Sequence, residues 1–215
     1  MSRLRIAAIV EGHGEVQALP ILIHRIWTEL LECEFVEILS PPIRRKRHQL
    51  ASDKNGALTK AVCLAANKLE NSRTDLEDPE LILVLVDADD DLPCKLGPDM
   101  QKVAAGARHD FDVSCVVANL DYETWFVAAS SSLLDYWKDP DDFESPENPE
   151  GKYGKGWVKR RFNGPKYSET VDQAKLTARM DLAICREVSR SFDKLCRELE
   201  KKTQESNDQT PSNKD

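Results

Sequence analysis

The sequence predicts an α/β fold: a mostly parallel four-stranded sheet covered by helices, with a C-terminal helical appendage. Three observations carry this. Short, nearly unbroken apolar runs, the clearest being Leu81-Ile82-Leu83-Val84-Leu85-Val86, have the length and composition of strands buried on both faces. Stretches with apolar residues at helical spacing separate the runs, and this alternation implies right-handed crossovers and parallel pairing. The 215 residues suffice for one large domain, or a domain with an appendage, but not for two ordinary enzyme domains.

The first strand is Leu4 to Val10, punctuated by Gly12 and Gly14. Val16, Leu19, Leu22, Ile23, Ile26 and Leu30 then fall at helical spacing, with Pro20 expected in the first turns, where a missing N–H costs least. Phe35 to Leu39 reads as a second strand, ended by Pro41 and Pro42. Asn55 to Asn67 carries Leu58, Ala61, Val62, Ala65 and Ala66 on one helical face. After the third strand come a helix around Met100 to Ala107, a fourth strand from Val113 to Ala118, and a helix from about Asp121 to Ala129. Asp139 to Gly151, with three prolines and six acids, is a loop or linker. The expected organisation is an α/β domain over 1–138, an acidic loop over 139–151, a basic aromatic stretch with short helices over 152–200, and a disordered tail over 201–215.

Apolar residues make up 40% and charged residues 32%, which excludes a wholly disordered chain. No apolar run approaches the ~20 residues of a membrane span, so no membrane partner is expected. The N-terminal run meets Glu11 with no small-residue cleavage site behind it, so no secretory signal is expected. Cys33, Cys63, Cys94, Cys115, Cys185 and Cys196 form no CxxC pair and read as free thiols of a reducing cytoplasm. The net charge of −8 is unevenly spread: residues 1–74 hold 11 basic and 8 acidic side chains, 75–150 hold 4 and 20, and 151–215 hold 15 and 10. An acidic centre between basic flanks suits a polyanion gripped around a cation-loaded site, and equally suits ordinary surface patchiness.

Open α/β sheets bind ligands beyond the carboxyl ends of their strands. Glu11 directly follows the first strand and Glu15 lies one helical turn on; Asp87, Asp89, Asp90 and Asp91 follow the third. With a strand order of 2-1-3-4 these ends are neighbours and the acids converge. Alternation along an extended chain sends Asp87, Asp89 and Asp91 to one side and Asp90 to the other. Clustered carboxylates repel one another, and a divalent cation resolves the conflict; an all-oxygen donor set suits Mg²⁺ or Mn²⁺ rather than zinc. Such sites serve phosphoryl transfer or phosphodiester cleavage. The plainer reading is a solvated acidic turn.

Val-Glu-Gly-His-Gly-Glu after the first strand, with Asp-Ala-Asp after the third, resembles the Toprim domain of topoisomerases, primases and the overcoming-lysogenization-defect nucleases. VEGHGEVQALPILIHRI, LVDADDD, NLDYETWF, SETVDQAKLTARMDL and SFDKL together are similar to a stand-alone Toprim-like family catalogued as a domain of unknown function, from residue 3 to about 200. The nuclease subunit of the PARIS anti-phage system, partnered with an ATPase, is a relative of that kind. The resemblance implies a Toprim-like (Rossmann-like) fold and a Mg²⁺- or Mn²⁺-dependent nuclease that cuts DNA or RNA as an anti-phage effector. By position it implies Glu11 in metal binding or general acid/base chemistry, Asp87 and Asp89 as the metal-binding catalytic pair, and Glu15 as a second acid; Asp91 extends the motif. No gyrase-like or primase-like remainder follows, so those activities are not implied. The alternative is a non-catalytic interaction subunit working with an ATPase partner, and a homodimer is compatible with either. A phosphoacceptor receiver domain also places acids after strands one and three, but it needs Ser or Thr after the fourth strand, where this chain has Ala118-Asn119.

Other residues carry two readings each. Glu123 is a further metal ligand or an acid favoured by the first helical turn. Asn119 caps that helix or contacts a phosphate, and His13 touches a phosphate or has no fixed role. Cys94, in a loop beside the acids, reads as a small filler rather than a nucleophile. Arg44, Arg45, Lys46 and Arg47 form a basic loop opening on the side of the acids. Lys155, Lys159, Arg160 and Arg161, interleaved with Tyr153, Trp157, Phe162 and Tyr167, combine phosphate contacts with base-stacking surfaces, unless the aromatics pack inward. One of these lysines is also a candidate for stabilising a transition state.

Overall fold

The computed structural model describes residues 3–75, 78–151 and 153–208. Strands β1 (Leu4–Val10), β2 (Val36–Ile38), β3 (Ile43–Arg44), β4 (Glu80–Asp87) and β5 (Val113–Ala118) form one sheet of order β2-β1-β4-β5, with β3 also on β1 and every pairing parallel. For the four apolar runs this is the order 2-1-3-4. The fifth strand corrects the four-stranded expectation. Past the Pro41-Pro42 break the chain returns to β1, with Ile9 opposite Ile43 and Val10 opposite Arg44. Two residues leave no periodic signal, and their basic neighbours made the segment read as a loop.

Strand alternation divides the core into two layers. Leu4, Ile6, Ala8 and Val10 of β1, with Leu81, Leu83 and Leu85 of β4, face α1 (His13–Arg25), its π-helical extension Ile26–Leu30, α5 (Thr124–Ala128) and the C-terminal helices. Those are α6 (Gly154–Arg161), α7 (Glu169–Thr177), α8 (Leu182–Val188) and α9 (Arg190–Asp208). Ala7, Ile9, Ile82, Val84 and Val86 face α2 (Arg47–Ala51), α3 (Ala57–Asn71) and α4 (Pro93–Ala107). Each large aliphatic side chain so buried contributes about 1.5–3 kcal/mol.

Several expectations change where tertiary contacts intervene. Pro20 lies inside α1, beyond its first turn, because the helix already begins at His13. The basic aromatic stretch is helical: a Cβ on Gly154 would sit 2.1 Å from the Thr124 backbone nitrogen, so glycine alone lets α6 start against the entry to α5. Trp157 is buried edge-on against Trp137, with ring centroids 5.1 Å apart. The acidic loop is tied down, since Glu150 Oε1 accepts from Ser189 Oγ at 2.8 Å and Ser191 N–H at 3.1 Å. The last helix continues to Asp208 instead of giving way to a tail at 201, with Lys202 buried and paired to Asp112. Residues 209–215 of that expected tail lie outside the described residues.

The appendage is seated on glycines, which gives a paired test. A Cβ on Gly14 would lie 1.9 Å from Gln173 Oε1 and 2.8 Å from the Glu169 carbonyl, whereas one on Gly106 meets nothing within 4 Å. Gly14→Ala is expected to lower unfolding free energy by about 1–3 kcal/mol, and Gly106→Ala, in α4, to raise it by about 0.5–1 kcal/mol, both read from urea denaturation midpoints.

Candidate acidic site at the strand ends

Gly12 leaves β1 with extended backbone (φ −100°, ψ 165°) and caps α1, so Glu11 stays at the strand end while Glu15 enters the first helical turn. Val10 pairs with Leu85, which lays Glu11 beside the end of β4, and the Asp87 N–H donates to Glu11 Oε2 at 3.4 Å. From the next strand end, Asp121 and Glu123 turn inward ahead of α5. Glu15, Asp87, Asp121 and Glu123 are all buried, and Glu11 is half-buried.

This much negative charge out of water changes the acids. Asp87 is held well above the usual carboxylate range, first by burial and then by the charges of Glu11, Glu15, Glu123 and Asp121. Burial, Glu15 and Asp89 push Glu11 up to about 7 against the pull of the Asp87 N–H and Arg47. Burial and Asp121 push Glu123 up to about 7, although Lys155 and the Tyr167 hydroxyl, which donates to Glu123 Oε1 at 3.0 Å, oppose the shift. Asp121 is raised by burial despite accepting from Lys155 N–H at 2.9 Å and from Thr124 N–H at 3.0 Å.

Glu15 supplies a different observation. Its Oε2 is buried with no hydrogen-bond partner among the described residues, while Oε1 has only Gln173 Nε2 at 3.5 Å. A Cβ on Gly12 would stand 2.2 Å from that oxygen, so the missing side chain is what admits the carboxylate. A buried carboxylate oxygen left unmatched costs free energy and calls for a donor or a cation.

The cations near the acids are few and mostly committed. Lys155 reaches Glu169 at 3.3 Å; burial pulls its pKa down, but Glu123, Glu169 and Asp87 raise it overall, so it stays protonated. Arg47 donates to the carbonyls of Asp87 at 3.1 Å and Ala88 at 2.6 Å, and pairs with Asp89 at 3.3 Å and with Asp91. Arg44 reaches the Glu11 carbonyl at 3.3 Å and Arg45 the Arg44 carbonyl at 2.8 Å, leaving Lys46 exposed at the start of α2. The expected basic loop is therefore largely a strap over the β4 exit.

The structure separates residues that the sequence grouped. Asp89 takes a left-handed conformation (φ 49°) and is exposed, as is Asp91, and both sit on Arg47. Strand geometry stops at Asp87, so the expected alternation does not extend to Asp89 and Asp91, and Asp91 belongs to the strap rather than to the buried cluster. Asp90 accepts from the Tyr153 hydroxyl at 2.5 Å. The base-stacking reading is corrected as well: Trp157 and Tyr167 are buried and Phe162 partly so, leaving Tyr153 exposed. Lys159 pairs with Glu169 at 3.6 Å, Arg161 lies over Trp157 at 5.2 Å, and Arg160 is exposed. Asn119 donates to the Glu150 carbonyl at 3.2 Å, and the turn into α5 is held by Asp121 instead. His13 is exposed, as is Cys94 at the start of α4. Asp121, Tyr167 and Gln173 escaped the sequence reading. Asp-x-x-Thr at 121–124 was a capping signal that pointed to the first, whereas the other two arrive by tertiary packing.

Among the described residues no three His, Cys, Asp or Glu side chains form a ready-made metal cage. The donor chemistry still fits a hard divalent cation: every candidate ligand is oxygen, Glu15 Oε2 has no partner among the described residues, and burial and neighbouring acids raise Glu11 and Asp87 despite the cations nearby. Comparison with known families then gives a match over residues 10–200 to a domain of unknown function, DUF4276. The chain belongs to this family. No match was found among curated proteins or among solved structures. The DUF4276 match runs from the last residue of β1 into α9, taking in all three acid-bearing strand ends and the helices that bring Lys155, Tyr167 and Gln173. Among the described residues of this DUF4276 chain, no helix is long and apolar enough to cross a membrane.

The raised Glu123 fixes the sign of a pH effect. A carboxyl lifted from 4.5 to about 7 in the fold contributes stability that is fully present below pH 4.5 and lost as pH rises through about 7. In chelator, Glu123→Gln is expected to match the parent near pH 4.5 and to exceed it at pH 8 by up to about 3 kcal/mol, flattening the stability profile between those limits. Urea unfolding across that range checks it.

Proposed function

We propose that this chain is a Mg²⁺- or Mn²⁺-dependent phosphodiesterase acting on nucleic acid, a nuclease of the Toprim type. The observation that carries the reading is the convergence of Glu11, Glu15 and Asp87, with one buried carboxylate oxygen that has no partner among the described residues. These three would hold the cation, with Asp89 at the exposed lip. When bound, the cation supplies Lewis acidity towards a phosphate oxygen and acidifies a coordinated water.

The chain's own groups have distinct tasks. Glu11, at the end of β1 against the Asp87 N–H, would serve as a ligand of the cation or in general acid/base work. Lys155 keeps its charge and faces the negative charge that builds on the phosphoryl group in the transition state. Arg47 fixes the loop from Asp87 to Asp91 through two carbonyls and two carboxylates. Lys46, Lys159 and Arg160, all exposed, would make the phosphate contacts. An ATPase partner and a role as an anti-phage effector rest on the motif resemblance.

Mn²⁺-dependent cleavage of single-stranded DNA, duplex DNA or RNA is expected, and it should fall by at least about 100-fold in Glu11→Gln and in Asp87→Asn chains whose circular dichroism is unchanged. Cleavage that survives both substitutions overturns the reading. Lys155→Met is expected to lower kcat by about 10²–10³ with KM little altered, as loss of a group acting in the transition state requires.

A further inference from the structure

A cavity of about 750 Å³ lies along the outer edge of β5 between α4 and α9. Glu11, Glu15, Asp87, Asp121 and Glu123 do not line it; Glu150 does, its Oε1 held by Ser189 and Ser191, and the volume falls in the range of small-molecule sites, about 300–1,000 Å³. One wall is cationic: Arg190, Lys194 and Arg197 follow one another at i, i+4 and i+7 on a single stripe of α9. Lys194 pairs with Glu198, and Arg197 with Asp193 at 2.9 Å, while Arg190 has no ion pair among the described residues. The facing wall is apolar, made by Leu92, Pro93, Pro98 and Val117, with Leu92 half exposed.

The floor narrows the choice of ligand. The Gln101 amide donates to the Val113 carbonyl at 2.6 Å and accepts from the Cys115 N–H at 2.8 Å, so this part of the β5 edge is already paired and does not invite an added strand. At the start of α9 the Ser191 N–H is held by Glu150 and the Phe192 N–H by Ser189, so the cationic side chains, not the helix end, are what face an anion. A bare anion would use one wall and a hydrocarbon the other. A ligand with a phosphate at one end and a flat, weakly polar body uses both. We propose that this cavity binds a nucleoside phosphate, its phosphate on Arg190, Lys194 and Arg197 and its base against Leu92, Pro93, Pro98 and Val117.

The test is binding, in chelator, and needs no cleavage. Calorimetric titration of the full chain with AMP is expected to show saturable binding, weakened at least about tenfold by Arg190→Ala, an exposed position. Gly97 lines the cavity and is a second handle: a Cβ there meets only Val117 Cγ2, at 3.7 Å, although the Pro98 that follows disfavours a side chain in helical backbone. Gly97→Leu is expected to abolish AMP binding in chains whose circular dichroism is unchanged. Asp87→Asn is expected to bind AMP like the parent, which keeps this site separate from the acidic one. A 5′-phosphorylated dinucleotide that displaces AMP identifies a strand terminus as the source of the ligand, and failure to displace identifies a free nucleotide. Absence of saturable AMP binding, binding indifferent to both Arg190→Ala and Gly97→Leu, or inorganic phosphate binding as tightly as AMP overturns the proposal.

Discussion

Parallel pairing of β1 with β4, in the register that sets Val10 opposite Leu85, brings together two acids that lie 76 positions apart in the chain. Neither strand has freedom to avoid this. Both are apolar on both faces, so a one-residue slip would exchange every side chain between two packed layers that are not interchangeable. Glu11 and Asp87 are therefore forced together by the same contacts that stabilise the core. β5 repeats the constraint on the other flank of β4, where Asp87 stands opposite Ala118 and the chain turns inward through Asp121 and Glu123.

The C-terminal helices complete what the sheet begins. Gly14 and Gly154 are the points at which α7 and α6 touch the strand-end parts of the site, the first through Gln173 and the second through the backbone at Glu123 and Thr124. Because these approaches leave no room for a Cβ, the helices bring Gln173, Tyr167 and Lys155 within reach of Glu15, Glu123 and Asp121. The appendage is thus one wall of the acidic site, and the family match continues through it.

The four apolar strands, their order and the meeting of Glu11 with Asp87 were legible because each depends on local pattern: apolar runs, punctuating glycines, and acids at run ends; the two-residue β3 was not. What escaped depends on partners distant in sequence. A basic run such as 44–47 looks free until Arg47 is seen to straddle the Asp87 and Ala88 carbonyls. The basic aromatic stretch carried no helix signal at Gly154 and Gly156, because glycine's helix penalty is visible in sequence while the close packing that requires Gly154 is not. The four interleaved aromatics looked like a stacking surface, yet Trp157 and Tyr167 serve the interior. Composition cannot tell an aromatic that waits for a base from one that has already found Trp137 or Glu123.

The two ends of the sheet treat buried charge in opposite ways. At the amino end Arg5, wholly buried, meets Glu80 at 2.5 Å, Glu37 at 3.2 Å and the Ser72 hydroxyl at 2.6 Å, and Glu80 takes Arg73 as well. Carboxylate and guanidinium are matched there, which is how a fold makes buried ions tolerable. At the carboxyl end the principal neighbours of Asp87 are Glu11, Glu15, Glu123 and Asp121, and the nearby cations are directed elsewhere: Arg47 to the outer loop and Lys155 in part to Glu169. The same chain that pairs its charges at one end crowds acids together at the other. A stability requirement alone would have put arginine or an apolar residue there. Carboxylates kept at that cost, on converging strand ends, are the feature on which the proposed cation site rests.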